Sequence, residues 1–210
     1  ESHIKLLVKK RDVPYRIDMH LKKNSPKGIA VNKVPIRKAS ELFGIINIVF
    51  FSPEDLNIIK NGPSERRRFL DMELCQLDSI YLYHLTKYNK ILNQRNKLLK
   101  DINFRPELAD TLSVWDMQLI EYGKKIINSR NKFIEKLNEI VPVIHKNLSG
   151  NREELILHYE PNVKEDDMES ELLKNQARDL KFGMTSIGPH RDDMCFTIKD
   201  VDIRRFGSQG

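Results

Sequence analysis

Residues 108–140 read LADTLSVWDMQLIEYGKKIINSRNKFIEKLNEI, with apolar side chains mostly three or four positions apart. The positions are Leu108, Leu112, Trp115, Leu119, Tyr122, Ile126, Phe133, Leu137 and Ile140. This spacing predicts one amphipathic helix with a seam for a partner helix. Over about forty residues such a helix is about 60 Å long. We expect Pro142 to kink or end it and Ser149-Gly150-Asn151 to close it.

A second helical run lies just before the first. Its apolar positions are Tyr81, Leu85, Tyr88, Leu92 and Leu99, again at steps of three, four and seven. A short loop, Asp101–Pro106, joins the two runs. Two such helices joined by a short loop should pack antiparallel as a helical arm, with Trp115 buried in the seam.

Strand patterns flank this arm on both sides. Alternating or continuous apolar residues predict strands at 3–10, 15–22, 29–31, 34–36, 45–51 and 155–159, and a hairpin at 193–206. Turns are expected at 12–14 and 32–33, helix starts at Ser52 and Ser64, and a further helix at about 166–181. The predicted fold class is α+β: a β part (1–52), an inserted helical lobe (53–150) and a return to the β part (151–210).

Composition narrows the function class. There is no apolar run long enough for a membrane span and no signal peptide pattern. Cys75 and Cys195 lie far apart without metal-ligand neighbours, which favours reduced thiols in a cytoplasmic protein. Residues 1–38 hold 11 Lys and Arg against 3 Asp and Glu, whereas residues 39–210 hold 25 against 27. This basic N-terminal part suits either phosphate contact or ordinary strand solubility.

The usual sequence motifs for binding and hydrolysing a nucleotide are absent from these residues. Gly183 and Gly188 have the glycine spacing of a P-loop, but Pro189-His190 stands where Lys and Ser or Thr are required. No apolar strand ends in paired acids, and no catalytic triad or metal-ligand pattern is present. We therefore expect no catalytic residue, no metal site and no micromolar ATP binding within these residues.

Three ordered motifs carry a family resemblance. They are FFSPEDL (50–56), ERRRFLD (65–71) and TSIGPHRDDM (185–194), followed by Gly207-Ser208-Gln209-Gly210. Nearly the whole chain resembles the RecF family of recombination and gap-repair ATPases with an ABC/SMC-type head. The resemblance implies a P-loop before Glu1 and a Walker B segment after Gly210, so the chain is expected to be an internal piece of a longer protein.

The resemblance also implies cofactors and partners. The parent would use ATP and Mg²⁺, dimerise on ATP, bind gapped DNA junctions and act with RecR and RecO. Ser208, Gln209 and Gly210 would be the signature that caps the γ-phosphate held by the opposite head. Glu54 and Asp55 occupy the Q-loop-like position, although a helix cap with acids in the first turn is a sufficient explanation of both residues.

The residues themselves leave the roles of two clusters open. Arg66 and Arg67, with Lys9 and Lys22, are candidate DNA contacts, although one arginine of the 66–68 run should pack inward. The run 190–193 (HRDD) favours a structural arginine–aspartate network over a metal site, because adjacent strand acids point to opposite faces.

Two alternatives to a RecF-like protein stay open. One is a helical dimerisation or scaffold module without nucleotide chemistry. The other is the head of a different SMC-like ATPase, such as a RecN or Rad50 relative, although those proteins carry much longer coiled coils than residues 81–149 allow.

Overall fold

The computed structural model describes residues 1–206, with side chains through Arg204. The chain divides into two compact units. The first comprises Glu1–Phe51 with Cys75–Ser79, and the second comprises Ser52–Leu74 with the residues from Ile80 onward. No helix among the described residues has the length and apolar character needed to cross a membrane.

The first unit is built on a four-stranded antiparallel meander. Its strands are β1 (Ser2–Lys10), β2 (Val13–Leu21), β3 (Gly28–Val31) and β4 (Val34–Ile36), in the order β1-β2-β3-β4. A short 3-10 helix, Ala39–Leu42, follows. The expected turn at Asn32-Lys33 is confirmed, since both residues have positive φ (50° and 70°), as a tight hairpin turn requires. The first turn lies at Arg11-Asp12 and not at 12–14, so Pro14 is inside β2.

The predicted strand at 45–51 is wrong for this structure. These residues have no regular secondary structure, and Val49, Phe50 and Phe51 are 94%, 79% and 79% exposed. A strand persists only where its backbone N–H and C=O groups pair with a neighbouring strand. Among the described residues no strand pairs with this segment, and the Ile48 N–H donates to the Gln76 side chain instead (2.9 Å).

The helices of the second unit follow. They are α1 (Asn57–Lys60), α2 (Pro63–Leu77, whose last residues belong to the first unit), α3 (Ser79–Ile102), α4 (Leu112–Leu148), α5 (Met168–Lys174), α6 (Gln176–Phe182) and α7 (Ile203–Phe206). Short 3-10 turns occupy Pro53–Leu56, Pro106–Thr111 and Pro189–Arg191.

Helices α3 and α4 run antiparallel, as predicted. Contacts pair Ile102 with Leu112, Arg95 with Asp116 and Tyr81 with Arg130. The C-terminal end of α3 therefore contacts the N-terminal end of α4. Helix α4 continues through Pro142 to Leu148, so Pro142 does not end it, and the helix stops where Ser149-Gly150-Asn151 was expected to close it.

Trp115 is half-buried, and not fully buried as expected. The buried face of α4 follows Leu112, Leu119, Ile126 and Ile134, and Trp115 lies at the edge of that face.

A second antiparallel sheet closes this unit. It contains β5 (Leu155–Glu160), β6 (Asp193–Ile198) and β7 (Val201–Asp202), in the order β5-β6-β7. The turn at 149–151 is confirmed, with positive φ at Gly150 and Asn151. The helix expected at 166–181 is two helices interrupted at Asn175, and residues 203–206 are helical, not part of the hairpin.

One core joins the helices to this sheet. Leu70 of α2 and Ile134 of α4 pack in one cluster with Leu157, Met194 and Phe196 of β5 and β6. The helices and the strands that follow residue 150 belong to one compact unit. The helical lobe is stabilised by the strands that follow it.

Candidate functional site

The segment Thr185–Asp193 lies at the centre of a buried polar network. Arg130 of α4, 2% exposed, is its largest hub. Its guanidinium donates to the Asp192 carboxylate (2.8 Å), the Pro189 carbonyl (2.7 Å) and the Asp71 carboxylate (2.8 Å). Its Nε also donates to the Tyr81 hydroxyl (3.1 Å). Helices α2, α3 and α4 are thereby connected to this one segment.

Asp192 is fully buried and fully occupied. Besides Arg130, it accepts hydrogen bonds from the Asn162 N–H (2.8 Å) and from the Tyr159 hydroxyl. Burial opposes the charge on Arg130, but the surrounding Tyr81, Asp71, Tyr159 and Asp192 outweigh it and raise the pKa of Arg130. An always-charged arginine with a carboxylate on each side is a structural ion-pair arrangement.

A second hub, Asp193, connects α2 to α7. Arg66 of α2 binds its carboxylate through two hydrogen bonds of 2.6 and 3.0 Å. Arg204 of α7 donates to the same carboxylate (2.9 Å) and also pairs with Glu160 and Asp202. The hydrogen bond with Asp202 raises the pKa of Arg204. These contacts fix the residues that directly precede the Gly207–Gly210 motif in sequence.

The third hub is Arg95 of α3, whose side chain is completely buried. It donates to Asp116 (2.6 Å), Asp179 (2.7 Å) and the Thr185 hydroxyl (2.9 Å). Thr185 in turn donates to Asn96 through both its backbone N–H and its hydroxyl. The Arg95 Nη2 atom is the one buried side-chain polar atom without a partner among the described residues.

His190 is held as a neutral ring between two partners. Its Nε2 faces the Thr185 carbonyl (3.0 Å), which can only accept, so the proton lies on Nε2. Its Nδ1 then accepts from the Tyr88 hydroxyl (2.7 Å). Burial lowers the pKa of His190 to about 4. Gly188 must be glycine, because a Cβ there would lie 2.4 Å from the Tyr88 hydroxyl oxygen and its φ is +132°.

This arrangement positions the backbone of the segment 185–193. Within residues 1–206 no cluster of His, Cys, Asp and Glu has the geometry of a metal site. The Cys195 thiol is not activated, since burial raises its pKa to about 11. The network therefore holds the segment 185–193 and the β6–β7 hairpin rigidly against three helices.

Glu54 and Asp55 lie in the 3-10 turn that opens the second unit. The Asp55 carboxylate accepts the Ser52 N–H (2.6 Å), which is half of a capping box. The hydrogen bond from Ser52 lowers the pKa of Glu54. Both side chains, with Glu65 and Arg68, line an open recess of about 400 Å³. The helix-cap role is thus present, and carboxylates in such a recess suit a hydrated cation better than a phosphate.

The four candidate DNA contacts separate into two groups. Lys9 is exposed in β1, paired with Asp12 at 2.8 Å, and Lys22 is exposed just after β2. Arg67 is half-buried and donates to the Asp192 carbonyl (2.7 Å), and burial lowers its pKa.

Arg66 is 4% exposed, and besides Asp193 it donates to the carbonyls of Ile58 and Asn61. Its donors are used within the chain, so the structure argues against DNA contact by Arg66. It is the arginine of the 66–68 run that packs inward. The predicted Ser208, Gln209 and Gly210 lie outside the described residues.

Sequence analysis missed the two central arginines. Arg95 lies three residues after Leu92 and four before Leu99, on the apolar seam of α3. Arg130 lies four residues from both Ile126 and Ile134 on the buried face of α4. A charge at a seam position requires a buried partner. That signal, combined with the acids of 190–193, would have identified the network.

Curated relatives and solved structures point to the same family. No family model matches the chain. The DNA replication and repair protein RecF of Agathobacter rectalis is 65% identical over 210 residues, and those of Lachnospira eligens and Lachnoclostridium phytofermentans are 62% and 56% identical. Each match covers the whole chain, which spans 58% of each relative's length.

Solved structures agree with this result. The recombination mediator protein RecF-ATP in the RecFOR pathway matches with a TM-score of 0.90 and 35% identity, and RecF-ATPrS matches with 0.88 and 34%. Both matches cover 99% of this chain and 58% of theirs. The fold is that of the ABC/SMC-like ATPase class, with mixed helices and antiparallel sheets. Within that class, the chain belongs to the RecF family.

Proposed function

We propose that this chain is part of an ATP-dependent DNA-binding protein acting in recombinational repair and replication restart at single-strand gaps. The carrying observation is the 65% identity to a RecF protein over all 210 residues. The proposal includes ATP and Mg²⁺ as cofactors, an ATP-dependent homodimer, and RecO- and RecR-type partners. The described residues contribute architecture to this activity and not the groups that cleave ATP.

Ser208, Gln209 and Gly210 are proposed to cap the γ-phosphate of ATP bound to the opposite subunit. The support is the position of α7, which directly precedes them and which Arg204 holds through Glu160, Asp193 and Asp202. A hydroxyl and free N–H groups suit an anionic oxygen. On this proposal, the buried network transmits the position of α2 and α4 to the phosphate contact.

Glu54 or Asp55 is proposed to sense Mg²⁺ through its bound water. The recess lined by these carboxylates supports the proposal. For DNA contact we retain Lys9, Lys22 and Arg67, of which Lys9 and Lys22 are exposed.

A chimera tests the function. The matched segment of the Agathobacter rectalis protein is replaced by these 210 residues, and ATP-driven dimerisation is followed by light scattering. We expect ATP-dependent dimers, and we expect Ser208→Arg to abolish them while ATP binding to the monomer survives. Ser25→Arg, an exposed serine in a turn of the first unit, is the matched control. If the Ser208→Arg chimera dimerises normally, the signature role is wrong; if the unmodified chimera never responds to ATP, the function itself is wrong.

A further inference from the structure

Helix α3 has an unusual charge distribution. Its 24 residues carry five cations, Lys87, Lys90, Arg95, Lys97 and Lys100, and one acid, Asp101. Arg95 is buried and neutralised, whereas the four lysines are exposed. None of these lysines has a carboxylate partner within the part of the chain that the structure describes. The outer surface of α3 is therefore cationic.

Three of these lysines are aligned. Tyr83, Lys87, Lys90, Gln94 and Lys97 follow one another at steps of four, three, four and three, which places them on one helix face. We call this face the α3 stripe. From Lys87 to Lys97 it extends about 15 Å along the helix axis. A length of this kind spans several phosphates of one nucleic acid strand at about 3.4 Å or more per residue.

An aromatic cluster lies at the N-terminal end of the stripe. The ring centroids of Tyr83 and Tyr122 are 6.3 Å apart at 66°, and His84 lies 5.8 and 5.9 Å from them. Lys87 and Lys125 lie over the rings of Tyr83 and Tyr122, at 5.5 and 5.2 Å. Tyr83 is nevertheless 52% exposed. Tyr83, braced by neighbouring rings, is thus about half exposed to solvent beside a row of lysines that have no carboxylate partner among the described residues.

This combination suits one ligand chemistry best. Lysines at intervals along a line match a phosphate backbone, and an exposed aromatic face matches a base that is not paired. In a duplex the bases are stacked inside and cannot cover a tyrosine ring. We propose that the α3 stripe, with Tyr83 and Tyr122, binds single-stranded nucleic acid, the lysines contacting phosphates and Tyr83 stacking on a base. The inference rests on the proposed DNA function and assigns to it a surface distinct from Lys9, Lys22 and Arg67.

The test measures fluorescence anisotropy of a labelled oligothymidylate of about 20 nucleotides, with the 210-residue chain at several salt concentrations. The variant Lys87→Glu/Lys90→Glu/Lys97→Glu should bind at least about tenfold more weakly. Its slope of log affinity against log salt should fall by about 2, since three phosphate contacts at about 0.7 each are lost. The control Lys132→Glu/Lys136→Glu/Lys146→Glu makes the same charge change at exposed sites of α4.

Stacking is tested separately. Tyr83→Leu should weaken binding to the single strand about tenfold and leave duplex binding unchanged, while Tyr83→Phe should retain both. All substituted side chains are exposed, and circular dichroism verifies that each variant folds.

Four outcomes overturn the inference. The first is an equal loss of affinity in the two triple variants, and the second is an equal loss of affinity for single strand and duplex in Tyr83→Leu. The third is competition by polyglutamate as effective as competition by unlabelled oligonucleotide. The last is no binding by the unsubstituted chain. The last would leave ATP-dependent dimerisation of the chimera untouched, so the two proposals fail separately.

Discussion

The segment around Arg130 and the sheet β1–β4 acquire order in opposite ways. In the first, buried arginines connect the segment 185–193 to three helices, and almost every polar atom is paired. In the second, few described side chains are buried, chiefly Ile17, Asp18 and Ile29, and the order comes from backbone ladders and two tight turns. A buried charge network makes single side chains indispensable, whereas a ladder spreads stability over the backbone.

The largest effect should therefore come from Arg130. Replacing it with Leu leaves Asp71 and Asp192 without their cation, and Asp192 is fully buried. We expect the free energy of unfolding to fall by about 3–5 kcal/mol in urea titration. The exposed Arg152→Leu is the control and should change little. A loss below about 1 kcal/mol for Arg130→Leu would mean that the network is not a determinant of stability.

A smaller effect is expected from pH at His190. Burial lowers its folded pKa to about 4, below the ordinary value of 6.5, so the unfolded chain takes up a proton first as pH falls. Stability from this group is complete above about pH 6.5 and decreases toward pH 4, by about 3 kcal/mol at most. Protonation of Nδ1 would also remove the acceptor for the Tyr88 hydroxyl. Unfolding measured from pH 7 to pH 4.5 checks this.

His190→Gln provides the matched comparison. The variant retains a donor and an acceptor but does not titrate. Its stability should depend less on pH over the same range than that of the unsubstituted chain. Identical pH profiles for the two proteins would show that His190 is not the group responsible.

Much of the fold was predictable because local patterns determine it. The antiparallel α3–α4 pair, strands β1–β4 and the Asn32-Lys33 turn follow from periodicity and turn chemistry in short segments. The end of α4 before Ser149-Gly150-Asn151 was also predictable, but whether Pro142 would end the helix earlier was not, because Pro142 removes one N–H while the remaining turns of the helix compensate. The prediction of a strand at 45–51 was wrong because a strand needs a neighbouring strand to pair with, and the local sequence does not specify one.

The candidate site was predictable only in outline. The motif 190–193 indicated an arginine–aspartate network, and Asp192 and Asp193 are indeed bound by Arg130, Arg66 and Arg204. Arg130 is 62 residues from Asp192 in the sequence, and Arg66 is 127 residues from Asp193. Such pairings arise from packing of distant helices, and no local pattern specifies them.

A modest effect is expected at the sheet turn. Asn32 has φ of 50°, and its side-chain oxygen accepts the Arg16 N–H at 2.8 Å. Asn32→Ala should cost about 1–2 kcal/mol, because a Cβ without a polar group is unfavourable in the left-handed region. Hydrogen exchange of the β2 and β3 amides measures this locally. Asn32→Gly, which tolerates positive φ, should lose less, and equal losses would contradict the backbone explanation.

The smallest effect on stability should be at Lys9. Its ion pair with Asp12 joins side chains that are 67% and 92% exposed, and such pairs contribute little. Lys9→Ala should therefore change the exchange rates of the β1 and β2 amides by less than about 0.5 kcal/mol in equivalent free energy. If Lys9 contacts DNA as proposed, the same variant should weaken duplex binding and lower its salt dependence by about one contact. Loss of binding with stability intact assigns Lys9 to recognition, whereas loss of stability would place it among the residues that build the sheet. The contrast between the sheet and the Arg130 network would then no longer hold, because an exposed lysine would contribute to stability as a buried arginine does.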